Sequence, residues 1–292
     1  MASLKEVKTR ISSVKSTRKI TSAMKMVASS KLHRAQQAIG NMRPYEKHLS
    51  CIMSRFLSIA EDKIDTSYSK QREVKKIAIL AISSNSSLCG AFNTNLIKEF
   101  VRTVKEYKEQ GCEVEVLPIG RKISEAAKKL GFDVESDNST LLEHPNYTDT
   151  TVIAEKLMQR FNNGEVDKVI MIYQHFASTS RQELQNETYL PIDVHETSSK
   201  NDETKGGKQL DFIIEPSAES IIESLVPSVL HFKVYTVLLD SLAAEHAARV
   251  MAMQVATDNA DELIEQLTLT YNKTRQQAIT SELLDIMGGS MQ

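Results

Sequence analysis

Few stretches of this 292-residue chain combine residue types and spacing suited to chemistry. The most suggestive is Ser83–Asn93, SSNSSLCGAFN, directly after the apolar run Ile77–Ile82. In an open α/β sheet a loop so placed is where phosphate binds, on backbone N–H groups at a helix start. This one holds a single glycine, Gly90, forms no GxGxxG, and no acidic residue closes the strand that follows. The nearest approach to a Walker sequence is Gly206-Gly207-Lys208. Gln209 stands there in place of the Ser or Thr hydroxyl that would hold Mg2+, and the run lies in a polar stretch. The loop therefore reads as a plain strand-to-helix turn without nucleotide. Cys89 has no histidine at a nucleophile's spacing and is expected to be a buried structural thiol. Seven histidines are scattered without HxxxH or HExxH, so no metal site is expected. Catalytic, cofactor-binding and metal-ligating residues are all read as absent.

Charge is the next candidate. Residues 1–55 hold twelve Lys or Arg against Glu6 and Glu46 alone. Such a stretch can grip nucleic acid, but its bases run all round the helix without interleaved aromatics. Residues 217–287 hold ten acids against four bases. Opposite net charge favours pairing of the two segments, although exposed ion pairs are worth only about 0–1 kcal/mol each. Two solvated charged faces remain the alternative.

These segments lead to the elements that must carry any site. From Phe232 the series Tyr235, Leu239, Leu242, His246, Arg249, Met253, Ala256, Ala260, Leu263, Leu267 recurs at alternating three and four residues. That spacing is a heptad seam facing a partner helix. About seventy residues at ~1.5 Å each make a rod on the order of 100 Å, and Gly288-Gly289 supply a C-terminal stop. At the other end Ser3-Leu-Lys-Glu6 is a capping box. It is followed by Leu4, Val7, Ile11 and Val14, then by Ala35, Ala38, Met42, Tyr45, Leu49, Ile52, Phe56 and Ile59. Pro44 is expected to bend this helix rather than end it.

Between the rods the period changes. Ile77–Ile82, Val114–Ile119 and Val169–Tyr173 read as buried strands; Thr94–Gln110, Arg121–Leu130 and Thr150–Asn162 read as amphipathic helices; Arg181–Leu190 is a candidate outer strand. This order signals a small Rossmann-like α/β domain on a parallel sheet. The expected fold class is thus α/β plus a long α-helical antiparallel coiled coil. Its parts are an N-terminal coiled-coil helix at 1–60 and a central α/β domain at 74–195. A polar loop at 196–208 then leads to a C-terminal strand and long coiled-coil helix at 209–292.

Composition is that of an ordinary soluble chain, 41% hydrophobic and 25% charged. No apolar run approaches the twenty residues of a membrane span. The helix beginning at Ser3 leaves no room for a signal peptide. Three cysteines without CxxC suggest reduced thiols.

The two ends resemble the γ subunit of the F-type ATP synthases, of bacterial type. Ile11-Ser-Ser-Val14, Thr17–Thr21, Ala23–Ala28 and Lys31 carry the N-terminal likeness. Glu245–Met253, Ala256–Ala260, Tyr271-Asn272, Arg275-Gln276 and Ile279–Asp285 carry the C-terminal one. In the middle, Leu88–Asn93 matches the family's first loop, but Asn85-Ser-Ser87 stands where the family has Asp-Arg-Gly, and Gly289 where it has Ala. The resemblance implies a non-catalytic rotor shaft that couples proton-driven rotation of a membrane ring to ATP synthesis or hydrolysis on β subunits. Implied partners are the α and β subunits of the catalytic ring, the ε subunit and the c-ring. The implied place is the cytoplasmic face of a bacterial inner membrane, with no direct membrane insertion and no nucleic acid bound. A non-rotary coiled-coil scaffold and an α/β enzyme oligomerised by its helices are the rival readings.

By the same resemblance Met24, Arg249, Gln276 and Thr280 are expected to contact β subunits. Gln276 and Thr280, four residues apart, share one helical face. Arg249 occupies a seam position yet is charged, so it must reach out or pair with an acid such as Glu245. An antiparallel register with Ser217 level with Ile59 puts Ser3 near Lys273 and Met24 opposite Val250. About fourteen C-terminal residues then overhang. They include Ile279, Leu283, Leu284, Ile286 and Met287, an apolar bearing.

Overall fold

Two long helices and a four-stranded sheet account for the chain in the computed structural model, which describes residues 3–59, 67–134, 136–192 and 218–289. Helix α1 spans Leu4–Ile59 and passes through Pro44. Ser3 Oγ accepts from the Glu6 N–H at 3.3 Å, which is the first half of the expected capping box. The order then runs β1 (Lys76–Ile82), α2 (Phe92–Glu109), β2 (Glu113–Ile119), α3 (Arg121–Lys129), α4 (Thr140–Glu143), α5 (Tyr147–Asn162), β3 (Lys168–Phe176), β4 (Gln182–Leu190) and α6 (Ala218–Gly289). The expected polar loop at 196–208 and the strand after it lie outside the described residues.

The sheet order is β2-β1-β3-β4. β1 is parallel to both neighbours, while β4 joins β3 antiparallel. The outer strand at Arg181–Leu190 is therefore present, but it makes the sheet mixed rather than purely parallel. Alternate residues of β1 point to opposite faces. Ala78, Leu80 and Ile82 enter a core with α5 and α6, through Leu157, Phe161, Val226, Val234 and Leu238. Ile77, Ile79 and Ala81 enter a second core with α2 and α3, through Leu96, Phe100 and Ile123. Burying each large side chain contributes roughly 1.5–3 kcal/mol, so both faces are firmly covered. Helix α6 is thus part of the α/β core over its lower half and a rod above it.

This double duty explains two departures from the sequence reading. α6 contains a stretch long and apolar enough to cross a membrane by length and composition. Its side chains from Val226 to Ala248 are largely buried inside the protein, because sheet, α5 and α1 surround them. The seam toward α1 also runs differently. Leu239, Ala243 and Ala247 pack on Leu32 and Ile39, with Val250 and Tyr235 beside them. Leu242 instead joins the core under the sheet.

The helices pair antiparallel: Tyr45 stacks on Phe232 with ring centroids 4.5 Å apart, and Arg18 Nε lies 2.5 Å from Asp261 Oδ1. Thr21 Oγ1 meets Thr257 Oγ1 at 2.9 Å. Met24 therefore stands level with Gln254 rather than Val250. Because matching Ile59 with Ser217 itself puts Met24 at Ala252, the register is displaced by about two residues, ~3 Å. The expected register matched the helix ends at Ile59 and Ser217; the contacts of Thr21 with Thr257 and Arg18 with Asp261 mark the actual one. Ser3 falls level with roughly residue 276, and about thirteen residues of α6 project beyond it.

Candidate functional site

The β1–α2 loop, the leading candidate for ligand chemistry, is filled by its own side chains. Ser84 N–H donates to Asn93 Oδ1 at 3.2 Å, and Asn93 Nδ2 donates to Ser84 Oγ at 2.8 Å. Leu88 and Gly90 both take left-handed backbone, with φ of 67° and 59°. The loop so tightened lies against the rod, where a Cβ on Gly90 would stand 3.9 Å from that of Ala252. Cys89 and Phe92 pack with Ala244, Ala248 and Phe176. Burial pushes the Cys89 thiol up from its ordinary value, against the lowering effect of Ser84 and Arg249. The sulfur packs among these apolar side chains and accepts from Asn93 Nδ2 at 3.1 Å.

Arg249 closes this contact. Its Nη2 donates to Glu245 Oε1 at 2.7 Å and to Ser86 Oγ at 2.9 Å, and its Nη1 to the Ser87 carbonyl at 2.5 Å. Of the two fates open to it, it takes the carboxylate. Side-chain exposure is 16% for Arg249 and 9% for Glu245. Burial raises the Glu245 pKa, and the Arg249 guanidinium partly offsets that. Removing either partner would strand a buried charge. Ser86 and Ser87 thus tie the α/β domain to the rod.

A second tie lies beside it. Asp240 accepts from the Phe176 N–H at 3.2 Å and sits 2.5 Å from His175 Nδ1. Gln174 Nε2 donates to the Phe92 carbonyl at 2.6 Å in a buried position. The carboxyl ends of β1 and β3 are fixed to the middle of α6.

The four residues expected to face a partner do not form one constellation. Met24 is 41% exposed, and Arg249, five residues below its level, is turned into the intramolecular tie. Gln276 and Thr280 share an exposed face of the tip, about 40 Å above Arg249 along the helix. The Thr280 hydroxyl donates to the Gln276 carbonyl at 2.9 Å, which leaves its oxygen as an acceptor. Around them Ile279, Leu283, Leu284, Ile286 and Met287 are 49–68% exposed. Sequence reasoning passed over Thr21, Thr257, Arg18, Asp261, Lys25 and Gln254, which meet across the helix pair. Their signal was a polar gap at heptad spacing between two apolar runs. Among the described residues no cluster of three His, Cys, Asp or Glu is arranged to hold a metal.

Comparison with known proteins bears on this arrangement. Residues 3–291 match the family model described as ATP synthase. The ATP synthase gamma chain of Bacteroides thetaiotaomicron is 56% identical over 299 residues, covering all of both chains. That of Flavobacterium johnsoniae is 43% identical over 99% of this chain and 98% of its own. Among solved structures, a chain of the Euglena gracilis mitochondrial ATP synthase rotor gives a TM-score of 0.61 at 19% identity, covering 94% of this chain and 98% of that one. A central-stalk and c-ring structure from Tetrahymena thermophila mitochondria gives 0.60 at 23%, covering 81% and 99%. At those identities the structural likeness speaks for the fold.

Proposed function

This chain belongs to the ATP synthase gamma-chain family, and on that premise we propose that it is the non-catalytic central shaft of an F-type ATP synthase. The observation that carries the proposal is the rod itself. An antiparallel helix pair is rooted in an α/β domain at one end, and at the other a single apolar helix tip projects past its partner. Two unlike helices present different faces in different directions. Three β subunits around them would each meet a different face, and each face would favour a different β conformation. Turning the shaft exchanges those populations, and the coupling is reciprocal: proton-driven rotation releases ATP, and hydrolysis drives rotation backwards.

In this reading the rod stands in the ring of α and β subunits, and the α/β domain meets the ε subunit and the c-ring. The whole sits at the cytoplasmic face of the bacterial membrane. The tie through Arg249 and Asp240 makes rod and foot one body, which a shaft requires. Gln276 and Thr280 are the polar grip on β at the tip, with Met24 on the flank of α1. Arg249 serves the grip by holding the loop at its foot. Steady-state ATP hydrolysis by the reconstituted complex tests this, using Gln276→Ala, Thr280→Ala, the pair, and Arg249→Ala. The tip variants are each expected to assemble and to turn over several-fold more slowly, as the loss of about 1 kcal/mol at the transition state would give. Arg249→Ala also leaves the buried Glu245 carboxylate unpaired and is expected to lower stability as well as turnover. Normal assembly with unchanged turnover in all four would place the grip elsewhere. The lone chain is expected to bind no ATP in equilibrium dialysis; stoichiometric uptake at micromolar concentration would favour the enzyme reading.

A further inference from the structure

Helix α1 finds its main packing partner in α6, so its position along the rod depends on what the seam between them contains. In the lower part the seam is Leu32, Ile39, Leu239, Ala243 and Ala247. Above it come partly buried Val14, Ile11 and Ile264, with Val7 buried. Apolar ridges repeat every turn, so sliding one helix by a turn returns ridge to groove at little loss. Between these runs the seam turns polar. Thr21, 9% exposed, meets Thr257 hydroxyl to hydroxyl at 2.9 Å. Each hydroxyl also lies within reach of a carbonyl of its own helix, Arg18 at 3.0 Å and Met253 at 2.7 Å. With one proton apiece, one donates to its own carbonyl while the other donates across, so both are used only when the two residues are level. One turn away Lys25 Nζ donates to Gln254 Oε1, whose amide donates to Asp258 at 2.7 and 2.9 Å. One turn the other way Arg18 pairs with Asp261 at 2.5 Å.

We infer that this ladder is a register lock, and that Thr21, Thr257 and Gln254 are positioning residues that hold α1 at one height on α6. The inference rests on the shaft reading for its purpose but not for its geometry. Arg18 and Asp261 are about half exposed, so their pair contributes little stability, and the ladder acts through selectivity instead. A slip of α1 by one turn toward the foot sets Lys25 against Val250 and Thr21 against Met253, which strands a cation on an apolar seam. A slip toward the tip is different. It brings Arg18 to Glu265, Lys25 to Asp258 and Thr21 to Asp261, so both cations find new acids. Against that slip discriminate the contacts that involve no acid, Thr21 with Thr257 and Lys25 with the Gln254 amide oxygen. The register matters because α1 exposes Ile20, Met24 and Val27 beside Met251 and Val255 of α6. A one-turn slip would move these two halves of the shaft's outer face by about 6 Å relative to each other. Torque on the rod would then relax as sliding.

The test is directional. In the full chain Val14→Cys with Ile264→Cys reports the native register under mild oxidation. Val14→Cys with Thr268→Cys reports the slip toward the tip, and with Ala260→Cys the slip toward the foot; single-cysteine chains serve as controls. Thr21→Val, Thr257→Val and Gln254→Leu together keep side-chain volume and are expected to leave helical content unchanged. They should raise the 14–268 disulfide by roughly tenfold, while the 14–260 disulfide stays the minor product because that slip still sets Lys25 against Val250. Thr257→Val alone should shift in the same direction by less. A single native disulfide in the triple variant, or a 14–260 yield as large as the 14–268 yield, overturns the lock. In the assembled complex the triple variant should pump fewer protons per ATP hydrolysed. A wild-type chain that failed to assemble with α and β subunits would instead refute the shaft reading, with the disulfide pattern untouched.

Discussion

Asp240 Oδ2 lies 2.5 Å from His175 Nδ1, and the other oxygen of the same carboxylate takes the Phe176 N–H at 3.2 Å. One side chain on the rod thus secures both the penultimate side chain and the last backbone donor of the third strand. Asp240 is 7% exposed, so water does not replace what it provides. Asp240→Ala should cost about 1.5–3 kcal/mol of stability, the range for hydrogen bonds to a buried charge, and Asp240→Asn less. Urea unfolding of the isolated chain measures both; a loss under about 0.5 kcal/mol for the alanine variant would mean that apolar packing alone holds the joint.

What was readable in advance follows the strength of local patterns. β1 was legible because a run of six apolar residues is too short for a buried helix, is rich in Ile and leads into a Ser-rich loop. That suits a strand covered on both faces, and both faces are covered. The heptad spacing likewise identified a rod. It misjudged the phase over residues 232–250 because three surfaces bury α6 there, and a helix apolar nearly all round carries no phase information. Arg249 looked like a misfit in a seam, yet it faces Ser86 and Ser87, which are more than 160 residues away in the chain. Register was the least legible feature. It is set by Thr21, Lys25, Thr257 and Gln254, and a search for apolar residues passes over them.

Gly120 is the position least able to change. Its φ is 105°, and a Cβ would stand 2.6 Å from the Ser83 carbonyl oxygen and 2.8 Å from Ser83 Oγ. Neither can retreat: Ser83 N–H donates to the Ile119 carbonyl at 2.8 Å, and Ser83 Oγ accepts from the Ile123 N–H at 2.9 Å. Gly120→Ala should therefore lose at least about 2 kcal/mol, from backbone strain and broken hydrogen bonds together. Chemical denaturation of the purified chain reads this directly, and a neutral result would show that the β2–α3 turn can shift as a unit.

His246 makes stability depend on pH. Burial, then Lys31 and Arg249, pull its pKa down from 6.5 to about 4, and its Nδ1 has no hydrogen-bond partner. Between these values the unfolded chain takes up a proton that the folded chain refuses. Stability is therefore lost as pH falls from 6.5 toward about 4, and the loss ends once the folded form protonates too. Glu245 beside it has the opposite sign. Burial raises its folded pKa, so the folded chain binds that proton first and gains on acidification. His246→Gln removes only the first effect. Relative to its own value at neutral pH, the variant should retain up to roughly 3 kcal/mol more stability than wild type near the acid end. Parallel urea titrations across this range decide it; coincident pH profiles would mean that the folded imidazole protonates freely.

The tip presents apolar side chains that the chain itself leaves largely exposed. Leu284, Ile286 and Met287 are 63%, 68% and 63% exposed, and the level of Ser3 shows that α1 ends about eight to eleven residues short of them. Truncating an exposed side chain costs the isolated chain little, so Leu284→Ala and Ile286→Ala should each change its stability by under about 0.5 kcal/mol. Inside a surrounding ring the same side chains would be covered, and their removal would be felt only there. An apolar sleeve suits a turning axle, since contacts without directional hydrogen bonds have no fixed angle to break. Deleting residues 283–292 should therefore leave a complex that assembles and hydrolyses ATP at a reduced rate. The polar grip at Gln276 and Thr280 and the flank of α1 stay in place below the cut. Assembly by native electrophoresis and hydrolysis by the purified complex are the two measurements. Loss of assembly would make the tip a folding or docking element of the ring, and unchanged activity would deny it any part in the bearing.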